Sequence, residues 1–311
     1  MLDATSKAFF HSLAQIRLLQ RIASRYGMAP GTSFARRFIA GESIEEAVVA
    51  VQGVAAQGLL LTLDYLGESV GTSEAADAAT RDYLRILDTI VASGIERNVS
   101  LKLTQLGLDV DRATCVDNLR RILDPATEHG FFVRIDMENS PYTDVTLQIF
   151  ETLWGQGYRN IGVVLQSYLM RTEADVRRIN TLGARIRLVK GAYKEPKTVA
   201  YQKKSDVDAA FVRLMKMLLD ESHYPAIATH DPVMIDATKA YAAEKGYARN
   251  RFEFQMLYGI RRDLQTALAA DGYPMRLYVP FGSQWFPYFM RRLGERPANV
   301  GFVLKGVFRE R

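Results

Sequence analysis

The sequence predicts an α/β protein: a (β/α)8 barrel over residues 58–311, preceded by a helical arm over residues 1–57. Three observations carry this. From Gly58 onward, short apolar runs of strand type alternate with longer helical patterns, which predicts a parallel sheet. The runs number eight, as closure into a (β/α)8 barrel requires. No G-x-G-x-x-G follows the first run, which weighs against the alternative, an open doubly wound sheet.

The arm opens with residues 5–25, where Phe9, Leu13, Ile16, Leu19, Ile22 and Ala23 recur at the spacing of an amphipathic helix. A short helix is predicted around residues 33–39. Ser43 followed by Glu46 reads as a capping box that starts the next helix. The strand-type runs are then 59–64, 99–102, 132–136, 161–166, 185–189, 226–229, 251–255 and 276–279. Helical patterns fill the gaps at 75–93, 111–129, 143–156, 174–182, 206–222, 232–245 and 262–270. Asp231 and Pro232 predict an N-cap and a first-turn proline for the helix after the sixth run. The eighth run is predicted to break at Pro280 and Gly282 before a last helix. On that helix Tyr288, Arg291, Arg292 and Glu295 share one face, and Phe286, Phe289, Met290 and Leu293 the other.

Composition narrows the function classes. The chain has 311 residues, 48% of them apolar, and a single cysteine, Cys115. That excludes an intramolecular disulfide framework and a cysteine-based metal cluster, and suits a reducing, cytoplasmic compartment. No apolar run reaches the roughly 18 residues that span a bilayer, and no signal-peptide pattern opens the chain. The net charge of +5 favours acidic ligands, but the basic residues are scattered among 35 acids, so a nucleic-acid partner is not expected. With four histidines and neither H-x-H nor H-E-x-x-H, no metal site is expected either.

A barrel keeps its chemistry at the C-terminal ends of its strands. There the sequence places Asp64, Tyr65 and Glu68; Lys102 and Gln105; Asp136, Met137 and Glu138; Gln166; Arg187 to Tyr193; Thr229 and His230; Gln255 to Tyr258; and Tyr278. Five cations at this rim (Lys102, Arg187, Lys190, Arg291 and Arg292) predict an anionic ligand. Adjacent arginines beside a tyrosine suit a carboxylate, because each guanidinium bonds both oxygens in one plane. A solvated basic helix end is the competing reading of that helix. Lys190-Gly191-Ala192 permits close approach of a flat ligand or a phosphate to backbone N–H groups. Thr229 and His230 suit phosphate contact or plain loop hydrogen bonding equally. Lys102 or Lys190 as a Schiff-base lysine remains an alternative, as does a non-enzymatic basic binding module.

The segments Leu63-Asp-Tyr-Leu-Gly-Glu68, Ser100-Leu-Lys-Leu-Thr104, Arg134-Ile-Asp-Met-Glu138, Arg187-Leu-Val-Lys-Gly-Ala-Tyr193, Ala228-Thr-His230, Phe254-Gln-Met-Leu257 and Tyr288-Phe-Met-Arg-Arg-Leu-Gly-Glu295 resemble the proline dehydrogenases. The resemblance runs in order over about residues 58–296 and is carried most specifically by Y-x-x-R-R-x-x-E and K-G-A-Y. It implies a distorted (β/α)8 barrel with noncovalent FAD. The implied activity is oxidation of L-proline to Δ1-pyrroline-5-carboxylate, with electrons passed to a membrane quinone and product handed to pyrroline-5-carboxylate dehydrogenase. Residue by residue, it implies that Lys102, Arg291 and Arg292 hold the proline carboxylate and that Asp136 and Arg187 are the catalytic pair. Tyr278, Leu257 and Tyr288 would wall the substrate, with Glu68 pairing Arg291 as a gate. Met137, Gln166, Arg187, Lys190, Gly191, Ala192, Tyr193, Thr229, His230, Gln255 and Glu295 would contact FAD. The quinone implies a cytoplasmic enzyme touching the inner face of the membrane peripherally. The connection from Tyr278 to Tyr288 looks shorter than in the long bifunctional relatives. Methylenetetrahydrofolate reductase, a related flavin barrel, lacks the paired arginines of the last helix.

Overall fold

The computed structural model describes residues 35–295, with side chains as far as Met290. Eight parallel strands close on themselves in chain order: β1 (Leu60–Tyr65), β2 (Asn98–Leu101), β3 (Phe132–Ile135), β4 (Ile161–Gln166), β5 (Arg185–Val189), β6 (Ala226–Ala228), β7 (Glu253–Leu257) and β8 (Met275–Phe281). β8 returns to β1 in the register Thr62 with Tyr278 and Asp64 with Pro280. Helix α1 (Ile44–Ala55) leads into β1. Between strands come α2 (Ser73–Ser93), α3 (Arg112–Glu128), α4 (Ser140–Gly155), α5 (Thr172–Asn180), α6 (Lys204–Glu221), α7 (Pro232–Glu244) and α8 (Arg262–Ala270). The last described element is α9 (Trp285–Glu295).

The strand period of two sorts the side chains into two environments. One parity (Leu61, Leu63, Val133, Ile135, Ile186, Leu188) joins the apolar core beneath the helices. The other parity is largely polar: Thr62, Asp64, Ser100, Arg134, Gln166, Arg187, Glu253, Gln255 and Arg276 are all buried. Such an interior survives only if its charges pair. They do. Arg276 grips Glu253 through two bonds of 2.9 and 3.0 Å and reaches Glu96 at 2.6 Å. Burial alone would push the Glu253 carboxyl up, but Arg276 outweighs it and holds it below the usual carboxylate range.

Several local expectations hold and several shift. Asp231 caps α7, accepting from the Val233 N–H at 3.1 Å, with Pro232 in the first turn. Asp111 and Thr72 cap α3 and α2 in the same way. Ser43 accepts from the Glu46 N–H at 3.3 Å, but Glu46 returns its bond to Glu42 N–H rather than to Ser43. Of the predicted 33–39 helix, the described residues form a 3-10 turn at Ala35–Arg37. The seventh strand begins at Glu253, because pairing with β6 and β8 sets its start. β8 does not break at Pro280: it continues to Phe281 against β1, and its pairing with β7 has already ended at Tyr278. Proline therefore forfeits no ladder bond to β7. The amphipathic segment 5–25 lies outside the described residues.

Residues 35–42 fold over the barrel's last connection. Ala40 N–H bonds the Pro280 carbonyl, Gly282 N–H bonds the Gly41 carbonyl, and the Trp285 indole donates to Glu42 at 2.8 Å. Ala35, Phe38, Ile39 and Leu66 then pack against Trp285, Tyr288, Phe289 and Met290 as a second core. Tyr288 joins this apolar cluster, and Phe286 is only partly buried. The neighbour above the helix, which spacing cannot reveal, decides which stripe is covered.

Candidate active site

The C-terminal rim holds one connected set of charges. Asp136, directly after β3, accepts from Arg187 Nη1 of β5 at 2.8 Å and from the Tyr278 hydroxyl of β8 at 2.8 Å. Arg187 is 5% exposed; its Nη2 bonds Ser100 Oγ at 3.1 Å, and its Cζ lies 5.2 Å from the centroid of the Tyr278 ring. Burial and the Asp136 charge hold the Tyr278 hydroxyl well above its ordinary range, so it donates throughout physiological pH. Lys102, directly after β2, sits 3.6 Å from Asp64. Burial pulls its ammonium down, but Asp64, Asp136 and Glu68 together outweigh burial and hold it above the usual lysine range. Glu138 is held by the Thr104 hydroxyl at 2.7 Å, and the Gln166 amide donates to the Glu138 carbonyl at 2.9 Å.

The remaining candidates cluster at the ends of β5, β6 and β7. Lys190 bridges Asp208 of α6 and Asp231, the α7 cap, at 2.7 Å for the latter. Burial raises both carboxyls, yet the lysine bonds win and leave them below their usual range. His230 Nε2 accepts the Leu257 N–H at 2.9 Å. That nitrogen is therefore unprotonated, and in the neutral ring Nδ1 carries the hydrogen. Thr229 Oγ1 accepts from the Asp231 N–H at 3.1 Å. Gln255 points its amide at Glu253, deeper in the barrel. Met137 is buried, Tyr193 and Glu68 half-buried, and Ala192 exposed. The close approach Gly191 permits is made by a side chain: a Cβ there would lie 2.4 Å from the Tyr168 ring.

Arg291, Arg292 and Glu295 lie on α9, but their side chains fall outside the described residues. The other three rim cations each face a carboxylate: Lys102 with Asp64, Arg187 with Asp136, Lys190 with Asp208 and Asp231. Counting cations alone therefore overstated the positive field, because the sequence does not say which acid each one meets. These pairings also oppose a Schiff-base role, since that chemistry needs a neutral amine. Among the described residues no cluster of histidine, cysteine and carboxylates could hold a metal ion.

Sequence reasoning missed three contributors. Ser100 orients Arg187; its only signal was a polar residue at the inward parity of β2. Asp208 meets Lys190 from a different helix. Glu195 accepts from the Ser140 N–H at 2.6 Å and from its hydroxyl, tying the loop after β5 to the start of α4.

Fold and rim together define an enzyme-type (β/α)8 barrel whose mouth is lined by paired charges. The family model for proline dehydrogenase matches residues 47–305, and the chain belongs to that family. It is 41% identical over 302 residues to proline dehydrogenase 2 of Bacillus subtilis, covering 97% of this chain and 98% of that protein. It is 43% identical over 281 residues to a proline dehydrogenase of Deinococcus radiodurans, covering 89% of this chain and 91% of the relative. The crystal structure of proline utilization A from Bdellovibrio bacteriovorus inactivated by N-propargylglycine superposes with a TM-score of 0.78 at 28% identity. That match covers 84% of this chain and 32% of the other.

Proposed function

We propose that the chain oxidises L-proline to Δ1-pyrroline-5-carboxylate with a noncovalently held FAD and delivers electrons to a membrane quinone. The observation that carries this reading is the Asp136–Arg187–Tyr278 network, which ties β3, β5 and β8 together across the barrel mouth. The residues suit a flavin: the buried Arg187 Nε and Gln255 Oε1 have no hydrogen-bond partner, and Gln166, Lys190, Thr229 and His230 stand on the neighbouring strand ends β4 to β6. Met137, Gly191, Ala192, Tyr193 and Glu295 complete the proposed FAD set. When bound, FAD would supply the redox chemistry, as acceptor of the hydride from the proline carbon next to nitrogen.

The chain's own residues bind and orient. Lys102, Arg291 and Arg292 hold the substrate carboxylate, and Tyr278, Leu257 and Tyr288 wall the ring. Holding the reacting carbon in one geometry is the main assistance a hydride transfer needs. Asp136 fixes Arg187 so that its positive charge stands ready where negative charge develops. Glu68, next to the Lys102 cluster, pairs with Arg291 and closes the site. The product passes to a separate pyrroline-5-carboxylate dehydrogenase. The protein is cytoplasmic and meets the inner membrane face peripherally; no helix among the described residues is long and apolar enough to cross a membrane. The purified protein should be yellow, reduce a dye with proline, and release its flavin to the supernatant on acid precipitation. Flavin retained in the pellet would overturn noncovalent binding, and a protein that neither binds FAD nor oxidises proline would overturn the reading.

A further inference from the structure

Asp64 is 1% exposed and has no hydrogen-bond partner for either carboxylate oxygen, an unusual condition for a buried acid. It lies on the inward parity of β1, level with Ser100 of β2 and Pro280 of β8. Proline has no N–H to offer it, the Ser100 hydroxyl makes no bond to it, and the nearby Tyr278 hydroxyl donates to Asp136 instead; burial pushes the Asp64 carboxyl up, and Lys102 is the largest pull the other way. Among the described residues the one opposite charge beside it is Lys102, at 3.6 Å, slightly beyond hydrogen-bond reach. The Lys102 side chain is 11% exposed, and its ammonium makes no hydrogen bond to a described residue. The pair therefore has an uncommon shape: the carboxylate attracts the ammonium from below without taking any of its three donors.

We propose that Asp64 is the positioning residue for Lys102, holding its ammonium charged and directed at the barrel mouth so that all three N–H bonds serve the substrate carboxylate. This rests on the assignment of Lys102 to that carboxylate. Other groups face the lysine too: Glu68 from the loop after β1, Asp136 and Glu138 after β3, and Tyr193 after β5. Each has its own engagement: Asp136 with Arg187 and Tyr278, Glu138 with Thr104, and Glu68 and Tyr193 in further interactions. Asp64 is the fully buried acid of the set and the one in ion-pair range. Neutralising it leaves Lys102 with burial and weaker attraction, so the ammonium loses its proton more readily.

The test is calorimetric titration with tetrahydro-2-furoate, a carboxylate that has no amine to titrate, between pH 7 and 9. The wild type should bind almost independently of pH. Asp64→Asn, which keeps the shape and removes the charge, should bind progressively more weakly as pH rises, approaching about tenfold per unit once the lysine titrates. Lys102→Arg added to Asp64→Asn should flatten the profile, because a guanidinium stays charged without help. Lys102→Met should bind weakly at every pH, and Asp64→Asn added to it should change nothing further. A flat profile in Asp64→Asn, with Lys102→Met weakened, overturns the pairing and leaves the carboxylate assignment standing. Wild-type affinity in Lys102→Met overturns the assignment and the pairing with it. If Asp64→Asn alone does not fold, the Asp64→Asn/Lys102→Met double variant isolates no buried charge. Binding weaker than that of Lys102→Met would then count against the proposal.

Discussion

Tyr278→Phe removes a single bond, the 2.8 Å donation from the hydroxyl to Asp136 Oδ2, and leaves the ring over Arg187. Asp136 keeps its bond from Arg187 at 2.8 Å but loses the contact that fixes its second oxygen. A hydrogen bond to a charged acceptor contributes about 1.5–3 kcal/mol, which corresponds to roughly 10- to 150-fold in rate if all of it is expressed in the transition state. The loss should fall on kcat, because the groups proposed for the carboxylate are untouched. Tyr278→Ser should cost more, since the ring's contact with the guanidinium goes too, a further ~0.5–2 kcal/mol. Neither variant should shift the wild type's pH profile between 7 and 9. The tyrosine's raised pKa places its protonated form as the native one, and its contribution is lost only as pH rises through that elevated value. Steady-state dye reduction with proline as the varied substrate separates kcat from KM. A Tyr278→Phe enzyme with kcat within twofold of wild type would show that the hydroxyl does not hold Asp136 in the reacting arrangement.

Three further outcomes follow from other parts of the molecule. Glu253→Ala leaves the Arg276 guanidinium buried without its two-bond partner and should lower stability by about 3–5 kcal/mol in urea unfolding; a change below about 1 kcal/mol would contradict the network's role. Because the Glu253 carboxyl is depressed, its contribution is present above the unfolded value and fades as pH falls through the folded one, so wild type and variant should converge in stability at low pH. Glu195→Ala unties the loop after β5 from α4 and should cost about 1–3 kcal/mol through the uncapped Ser140 N–H, with faster cleavage near Lys190 in limited proteolysis; an unchanged cleavage rate would argue that the loop is held elsewhere. Cys115, buried with its thiol pushed up to about 12 chiefly by burial, should resist iodoacetamide at pH 8 in the folded protein and react only in denaturant. Rapid labelling of native protein would refute that placement.

Local pattern was enough for the order of the elements. Alternation of apolar runs with helical stretches signalled eight strands, and the caps at Ser43 and Asp231 were legible because capping depends on residues within three positions. The polar strand ends were legible as well, since a barrel collects them at one rim. Partner choice was not. Asp136 meets Arg187 across 51 residues and Tyr278 across 142, and Arg276 meets Glu96 across 180. Those distances close only when β8 pairs with β1 and the register brings inward residues level. The same closure carries β8 through Pro280, and the packing of residues 35–40 covers Tyr288. Residue type and spacing determined which faces are apolar and where charge collects. Which charge answers which was decided by strand register and by the penalty on leaving a buried ion unpaired, and both exist only once the barrel is closed.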